Sequence, residues 1–196
     1  MSLTVYRRRR DFSLTPEPYG DQDVIVGKKM FVVQRHDTSV LHYDLRIEVD
    51  GVLKSWAIPK GPSMNPRDRR LAICMEDHPL SYAFFKGRIP DGNYGAGVVD
   101  IWDRGSYDVP YEPQLLHPDR QILKQIKSGN LKLILRGKHL KGVFSLVRIP
   151  GVNSKLWLLL KGNDKYAVDY TYSSEALRNY RTMVSRRTFS QWSLNA

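Results

Sequence analysis

The sequence is short of cysteine, of long apolar runs and, in its second half, of acidic residues. Cys74 is the only cysteine, so no disulfide framework within the chain carries the fold. Its place in the alternating run Arg70 to Glu76 reads as a buried strand residue in a reducing compartment. No apolar run approaches the roughly 20 residues of a membrane-crossing helix, and the arginines at positions 7–10 have no hydrophobic stretch behind them. The expectation is a cytoplasmic protein, neither exported nor membrane-embedded. Internal repeats and low-complexity tracts are missing as well, which leaves one domain over 1–196 as the default for a chain with 41% hydrophobic content.

The shortage of acidic residues is local. Residues 1–113 hold 16 Lys+Arg against 16 Asp+Glu, whereas residues 114–196 hold 15 against 4, so the whole net charge of +11 lies in the second part. The first part suits a chemical site with charges of both signs. The second suits a surface that meets a polyanion, nucleic acid being the ordinary candidate; a basic face that only maintains solubility is the bland alternative.

What is abundant is short alternating segments: Met30 to Arg35, Leu41 to Val49, Val52 to Ile58, Arg70 to Glu76, Val98 to Trp102, Leu131 to Arg136, Gly142 to Arg148 and Lys155 to Lys161. They predict a mainly β protein, and their short connections predict a closed or nearly closed β-barrel, which removes exposed sheet edges. Asp50-Gly51 is a tight-hairpin signal, and turns are expected at Arg104-Gly105 and Gly137-Lys138. One or two short flanking helices are expected: 119–128, with Asp119 as N-cap and Gly129 as stop, and a weaker one from Ser174 to Val184. Residues 1–24 read as an irregular arm and 168–196 as a C-terminal extension.

The chemistry concentrates in Leu41 to Val49. Strict alternation sends Leu41, Tyr43, Leu45, Ile47 and Val49 to the core and leaves His42, Asp44, Arg46 and Glu48 on the opposite face. Residues two apart on one face are about 6.5 Å apart, so an imidazole and a carboxylate can meet at one ion. His36, just upstream in His36-Asp37-Thr38-Ser39, offers a third ligand, because a short turn can bring the previous strand's end alongside His42. Two imidazoles and a carboxylate suit manganese, zinc, iron or cobalt better than magnesium or calcium. Arg46, one step beyond Asp44, is placed to grip a phosphate with paired hydrogen bonds. Lys60 reads either as a second phosphate contact or as a surface lysine beside a turn. Arg70 opens the strand that Asp77-His78-Pro79 closes; His78 is a candidate for the leaving group or transferred phosphate, and Glu76 for orienting a ligand. Tyr82 and Tyr94 read as core or rim aromatics.

These residues resemble the 3′-phosphoesterase domain found at the N-terminus of bacterial DNA ligase D and as a stand-alone protein. The similarity is carried by Arg10-Asp11-Phe12 with Thr15-Pro16-Glu17-Pro18, by Phe31 to Asp37, by Leu41-His42-Tyr43-Asp44-Leu45-Arg46 and by Leu53 to Pro62. It continues through Glu76-Asp77-His78-Pro79-Leu80, Ile89 to Gly97, Leu140 to Arg148 and Trp157 to Lys161. It runs in order over roughly residues 7–167. The resemblance implies a manganese-preferring β-barrel enzyme of DNA end repair in non-homologous end joining, which removes a 3′-terminal phosphate and shortens 3′ ribonucleotide ends. It implies metal ligands at His36, His42 and Asp44, phosphate contacts at Arg46, Lys60, Arg70 and His78, and supporting roles for Glu76 and Tyr82. Arg10, Asp11 and Glu17 match an arm used chiefly on ribonucleotide ends. Asp91 stands where the family pattern has glutamate, and beyond about residue 167 the pattern fades. The matched stretch holds no ligase or polymerase module, so a ligase partner is expected to be a separate chain.

Two rivals follow from the residues themselves. Two histidines and a carboxylate also describe the facial triad of non-haem iron oxygenases, with zinc or cobalt as further metals for the same set; and a non-catalytic DNA-end-binding module would carry a structural metal or none. Positive groups around the ligands argue against the first, and a ligand set with vacant positions argues against the second.

Overall fold

The computed structural model describes residues 3–21, 29–110, 117–151 and 153–176. Ten strands, in chain order β1 Met30–Asp37, β2 His42–Val49, β3 Val52–Ile58, β4 Arg69–Cys74, β5 His78–Pro79, β6 Gly87–Ile89, β7 Gly97–Asp108, β8 Asn130–Arg136, β9 Lys141–Arg148 and β10 Leu156–Lys161, form one sheet. The neighbours run β1-β2-β3-β4-β10-β9-β8-β7, and β7 pairs back onto β1, which makes the sheet ring-like. β5 attaches to β3 and β6 to β7.

Alternation dictates the interior. Tyr43, Leu45, Ile47 and Val49 of β2 meet Phe31, Val33, Trp56, Phe144 and Trp157 in one cluster, each fully buried aliphatic or aromatic side chain contributing about 1.5–3 kcal/mol. Asp50 at φ 49° and Gly51 at φ 78° make the two-residue turn between β2 and β3, the conformation that only such residues adopt cheaply. Helix α2, Pro118–Ser128, packs on β8 and β2 and buries Ile122. It begins one residue before the expected cap: proline takes the first helical position, Asp119 lies in the first turn, and Gly129 at φ 82° ends it.

Several expectations need correction. Arg104-Gly105 is no turn, because β7 runs unbroken from Gly97 to Asp108. A bulge near Val33/Gln34 leaves Trp102 without an opposite residue on β1; Val99 and Ile101 therefore face outward with Gln34 and His36, while Asp103 and Tyr107 turn to the interior. Gly105 is small because a Cβ there would strike the Arg136 carbonyl. The strand expected over Arg70 to Glu76 ends at Cys74, Glu76 lies outside any strand, and His78–Pro79 pairs with β3 as a strand of its own. The arm is not wholly irregular: Thr4–Arg8 forms a short helix, α1. Residues 174–176 take a helical turn, and the rest of the helix expected to Val184 lies outside the described residues.

The outer face of β1, β2 and β3 is covered too. Tyr6 from α1 and Tyr82 and Ala83 from a 3-10 turn, Leu80–Phe84, pack on Val32 and Leu53 in a second apolar cluster. Strand β2 is consequently buried on both faces apart from its first residue, and its polar residues are sheltered rather than solvated.

Candidate active site

Register assembles the metal-ligand set. In the antiparallel ladder His36 stands directly opposite His42, and Gln34 opposite Asp44, and opposite residues project from the same face. His36 lies next to the last residue of β1, and the turn that follows brings that strand end alongside His42. Potential ligand atoms of His36, His42 and Asp44 all lie within 4.8 Å of one another, with His36 Nδ1 3.6 Å and His42 Nε2 3.9 Å from the Asp44 carboxylate.

The remaining ring nitrogens are tied to the backbone. His36 Nε2 lies 2.8 Å from the Gly95 carbonyl and His42 Nδ1 2.9 Å from the Val40 carbonyl. A carbonyl only accepts, so each of these nitrogens carries the proton and the lone pairs of His36 Nδ1 and His42 Nε2 point toward Asp44. Burial by itself would raise the Asp44 pKa, but the Arg46 guanidinium and the two imidazoles outweigh it and hold the carboxyl below its ordinary value. An ionised carboxylate and two oriented lone pairs fit a divalent ion. Bonds of about 2.1 Å place ligand atoms about 3 Å apart, within a small side-chain adjustment of the distances here.

Arg46 is braced from three sides. Its Nε donates to Gln34 at 2.7 Å, Nη1 to Ser55 at 2.9 Å and Nη2 to Asp44 at 2.9 Å, while Cζ sits 4.7 Å from the Tyr82 ring centroid. Among the described residues this uses three of the five N–H donors of a guanidinium and leaves one on each terminal nitrogen for an anion.

A cavity of about 420 Å³ opens over the ligands, lined also by Arg10, Glu17, Glu76, His78 and Tyr82. Glu17 is buried and accepts from Arg10 Nε at 2.8 Å, from Tyr82 at 2.9 Å and from Thr15 at 2.9 Å. Arg10 also reaches Glu76 at 3.3 Å and His78 Nε2 at 3.3 Å. His78 Nδ1 lies 2.9 Å from the Glu76 carbonyl, which fixes the proton there and leaves Nε2 as an acceptor. Burial, then the charges of Arg46 and Arg10, push the His78 pKa well below the ordinary imidazole value. Burial likewise pushes the Tyr82 phenol up, so it stays protonated.

Three of the residues implied by the resemblance sit elsewhere. Lys60 is exposed on the turn after β3. Arg70 stands opposite Leu159, on the interior face of β4, where its Nη2 donates to Asp68 at 2.8 Å and to the Tyr172 carbonyl at 2.9 Å. Asp11 is exposed and accepts from the backbone and hydroxyl of Ser13. None of the three lines the cavity.

A family model described as the DNA ligase D 3′-phosphoesterase domain matches residues 34–148. The chain belongs to that family. The LigD phosphoesterase match spans the whole ligand set, Arg46 and His78. The multifunctional non-homologous end joining protein LigD of Pseudomonas aeruginosa is 45% identical over 166 residues, covering 83% of this chain and 19% of that protein. The multifunctional non-homologous end joining DNA repair protein LigD of Mycobacterium tuberculosis is 39% identical over 191 residues, covering 97% of this chain and 24% of that protein. The chain thus spans about a fifth to a quarter of the length of these LigD relatives. The family's description is that of a phosphoesterase domain, and among the described residues no helix is long and apolar enough to cross a membrane.

Sequence reasoning did not single out Gln34, Ser55 or the Val40 carbonyl. Gln34 and Ser55 are buried polar residues of β1 and β3, a signal that becomes readable once register shows they flank Arg46. A carbonyl has no sequence signal at all.

Proposed function

We propose that this chain is a divalent-metal 3′-end-healing phosphoesterase, which removes 3′-phosphates and trims 3′-terminal ribonucleotides from DNA ends before a ligase seals them. Manganese is the metal we favour, with zinc or cobalt as substitutes, because the donor set mixes imidazole nitrogen with carboxylate oxygen. The observation that carries the reading is the convergence of His36, His42 and Asp44 beside a braced Arg46 with two spare donors, at one end of a closed-in cavity.

Charge balance supports it. When bound, the ion supplies Lewis acidity to a phosphate oxygen and reverses the sign of a cavity lined by two guanidiniums, Arg10 and Arg46, and three carboxylates, Glu17, Asp44 and Glu76. Arg46 holds the non-bridging oxygens through its two terminal N–H groups, and its bracing by Gln34 and Ser55 means little reorganisation accompanies binding. His78, kept neutral by burial, accepts from Arg10 Nη2 through its Nε2 lone pair and so fixes that guanidinium on the cavity wall. Arg10 and Tyr82, joined by Glu17, shape the wall against which the terminal sugar rests, which suits the ribonucleotide-directed role. Lys60 and Arg70 act through the fold around the site in this reading. Two cavity guanidiniums disfavour the oxygenase alternative, whose substrates need no anion grip.

The test is a gel assay on a primer-template ending in a 3′-phosphate or in one 3′ ribonucleotide, run with Mn2+, Zn2+, Co2+ and Mg2+. Metal-dependent processing of both ends is expected. Tight DNA binding without turnover under any metal would instead identify an end-binding module.

A further inference from the structure

The cavity holds one aromatic surface that the chemistry above does not use. Tyr94 lines it and is 40% exposed, next to Gly95, whose carbonyl orients His36. Its position relative to the ligand set is thereby fixed within one residue of chain. The ring is also held from the arm: Arg9 Nη1 donates to the Tyr94 hydroxyl at 2.7 Å and to Glu76 at 2.9 Å, and Arg9 Cζ lies 4.8 Å from the ring centroid. Tyr82, the other tyrosine lining the cavity, is only 2% exposed and its hydroxyl is bound to Glu17, so it offers no free ring face.

An oriented, half-exposed ring beside an anion site, with an arginine against it, has the features of a stacking platform for a nucleobase: a flat apolar face for the base and positive charge for the adjoining backbone. We propose that Tyr94, positioned by Arg9, stacks on the terminal base of the strand whose 3′ end enters the cavity. This rests on the phosphoesterase reading and adds to it that the site reads a base, not only a phosphate. A ligand with a phosphate but no base fills only the anion half of the cavity. Stacking of one base accounts for about a tenfold change in affinity or more.

The experiment compares release of inorganic phosphate from two 3′-phosphate oligonucleotides, one with an ordinary terminal nucleotide and one whose terminal nucleotide is an abasic tetrahydrofuran. The wild type is expected to show a KM about tenfold higher on the abasic end with kcat little changed. Tyr94→Leu should raise KM on the ordinary end to the abasic level and erase the difference, while Tyr94→Phe keeps it. Equal KM values on the two ends in a wild type that releases phosphate well overturn the inference alone, and so does a Tyr94→Leu effect of equal size on both ends. Absence of phosphate release from either end overturns the phosphoesterase reading and the inference with it.

Discussion

Each histidine of the ligand set commits one ring nitrogen to a backbone carbonyl and keeps the other for Asp44. Removing a ligand is therefore not repaired by rotating its neighbour, whose proton is fixed on the far side. His42→Ala is expected to lower phosphate release by more than about a hundredfold, beyond the usual 10- to 100-fold loss for a partner of a ligand, with circular dichroism unchanged because His42 is partly exposed. Glu17 behaves differently, since it is buried against Arg10 and Tyr82. Glu17→Ala removes the nearer carboxylate from a buried guanidinium that keeps Glu76, and should cost about 1–3 kcal/mol in urea unfolding. Glu17→Gln keeps an acceptor and should slow ribonucleotide trimming more than phosphate removal, measured side by side on the two ends. His78 sets a pH dependence of stability. Its folded pKa lies well below the unfolded value of about 6.5, so the unfolded chain takes up the proton first as pH falls. The stability this neutral group contributes is complete above about pH 6.5 and is lost on acidification toward the folded pKa. Between pH 7.5 and 5.5 the loss reaches about 1.4 kcal/mol for one such group, and a His78→Asn variant should show a flatter dependence.

At the scale of elements, what was legible in the sequence was whatever strict period two could express. The alternation of residues 41–49 gave the interior set of β2 and the shared face of His42, Asp44 and Arg46, and Asp50-Gly51 gave the hairpin. Register between strands has no single-sequence signal, so the pairing of His36 with His42 across β1 and β2 was readable only as proximity. The bulge at Trp102 was invisible for the same reason, and a uniform alternation across β7 would have put Ile101 and Asp103 on one face. Arg70 takes the interior face of β4 opposite Leu159, and a positive charge on a strand carries no mark of which face it takes. Asp103 shows what the bulge achieves. Turned inward, its carboxylate accepts from the backbone N–H groups of Arg104, Lys138, His139 and Leu140 and so holds the β8–β9 turn. Burial still raises its pKa above the ordinary carboxylate value, which marks how enclosed the group is. Asp103→Ala leaves those donors without an acceptor and is expected to lower stability by about 3 kcal/mol, read as a fall in the urea midpoint at unchanged slope.

Across the whole molecule, the centre draws on adjacent strands of one side of the ring and on the arm. β1 and β2 supply the ligands, β3 supplies Ser55, β5 supplies His78, the segment before β7 supplies the Gly95 carbonyl, and the arm supplies Arg10 and Glu17. An ion bound only by the assembled site stabilises the folded state by mass action, about 2.7 kcal/mol at a hundred times its Kd. Thermal unfolding should therefore move upward with Mn2+ and back with a chelator, and the shift should vanish in His42→Ala. Of the 15 Lys and Arg in residues 114–196, seven lie on α2, β8 and β9, on a different stretch of chain from the ligands.

The facing of His36 by His42 across the first two strands also bears on the life of the chain before it is finished. An unzipped chain carries its imidazoles on separate segments, where they cannot share an ion with Asp44. The candidate metal site comes into being only with the paired ladder, so folding and the assembly of the site are one event.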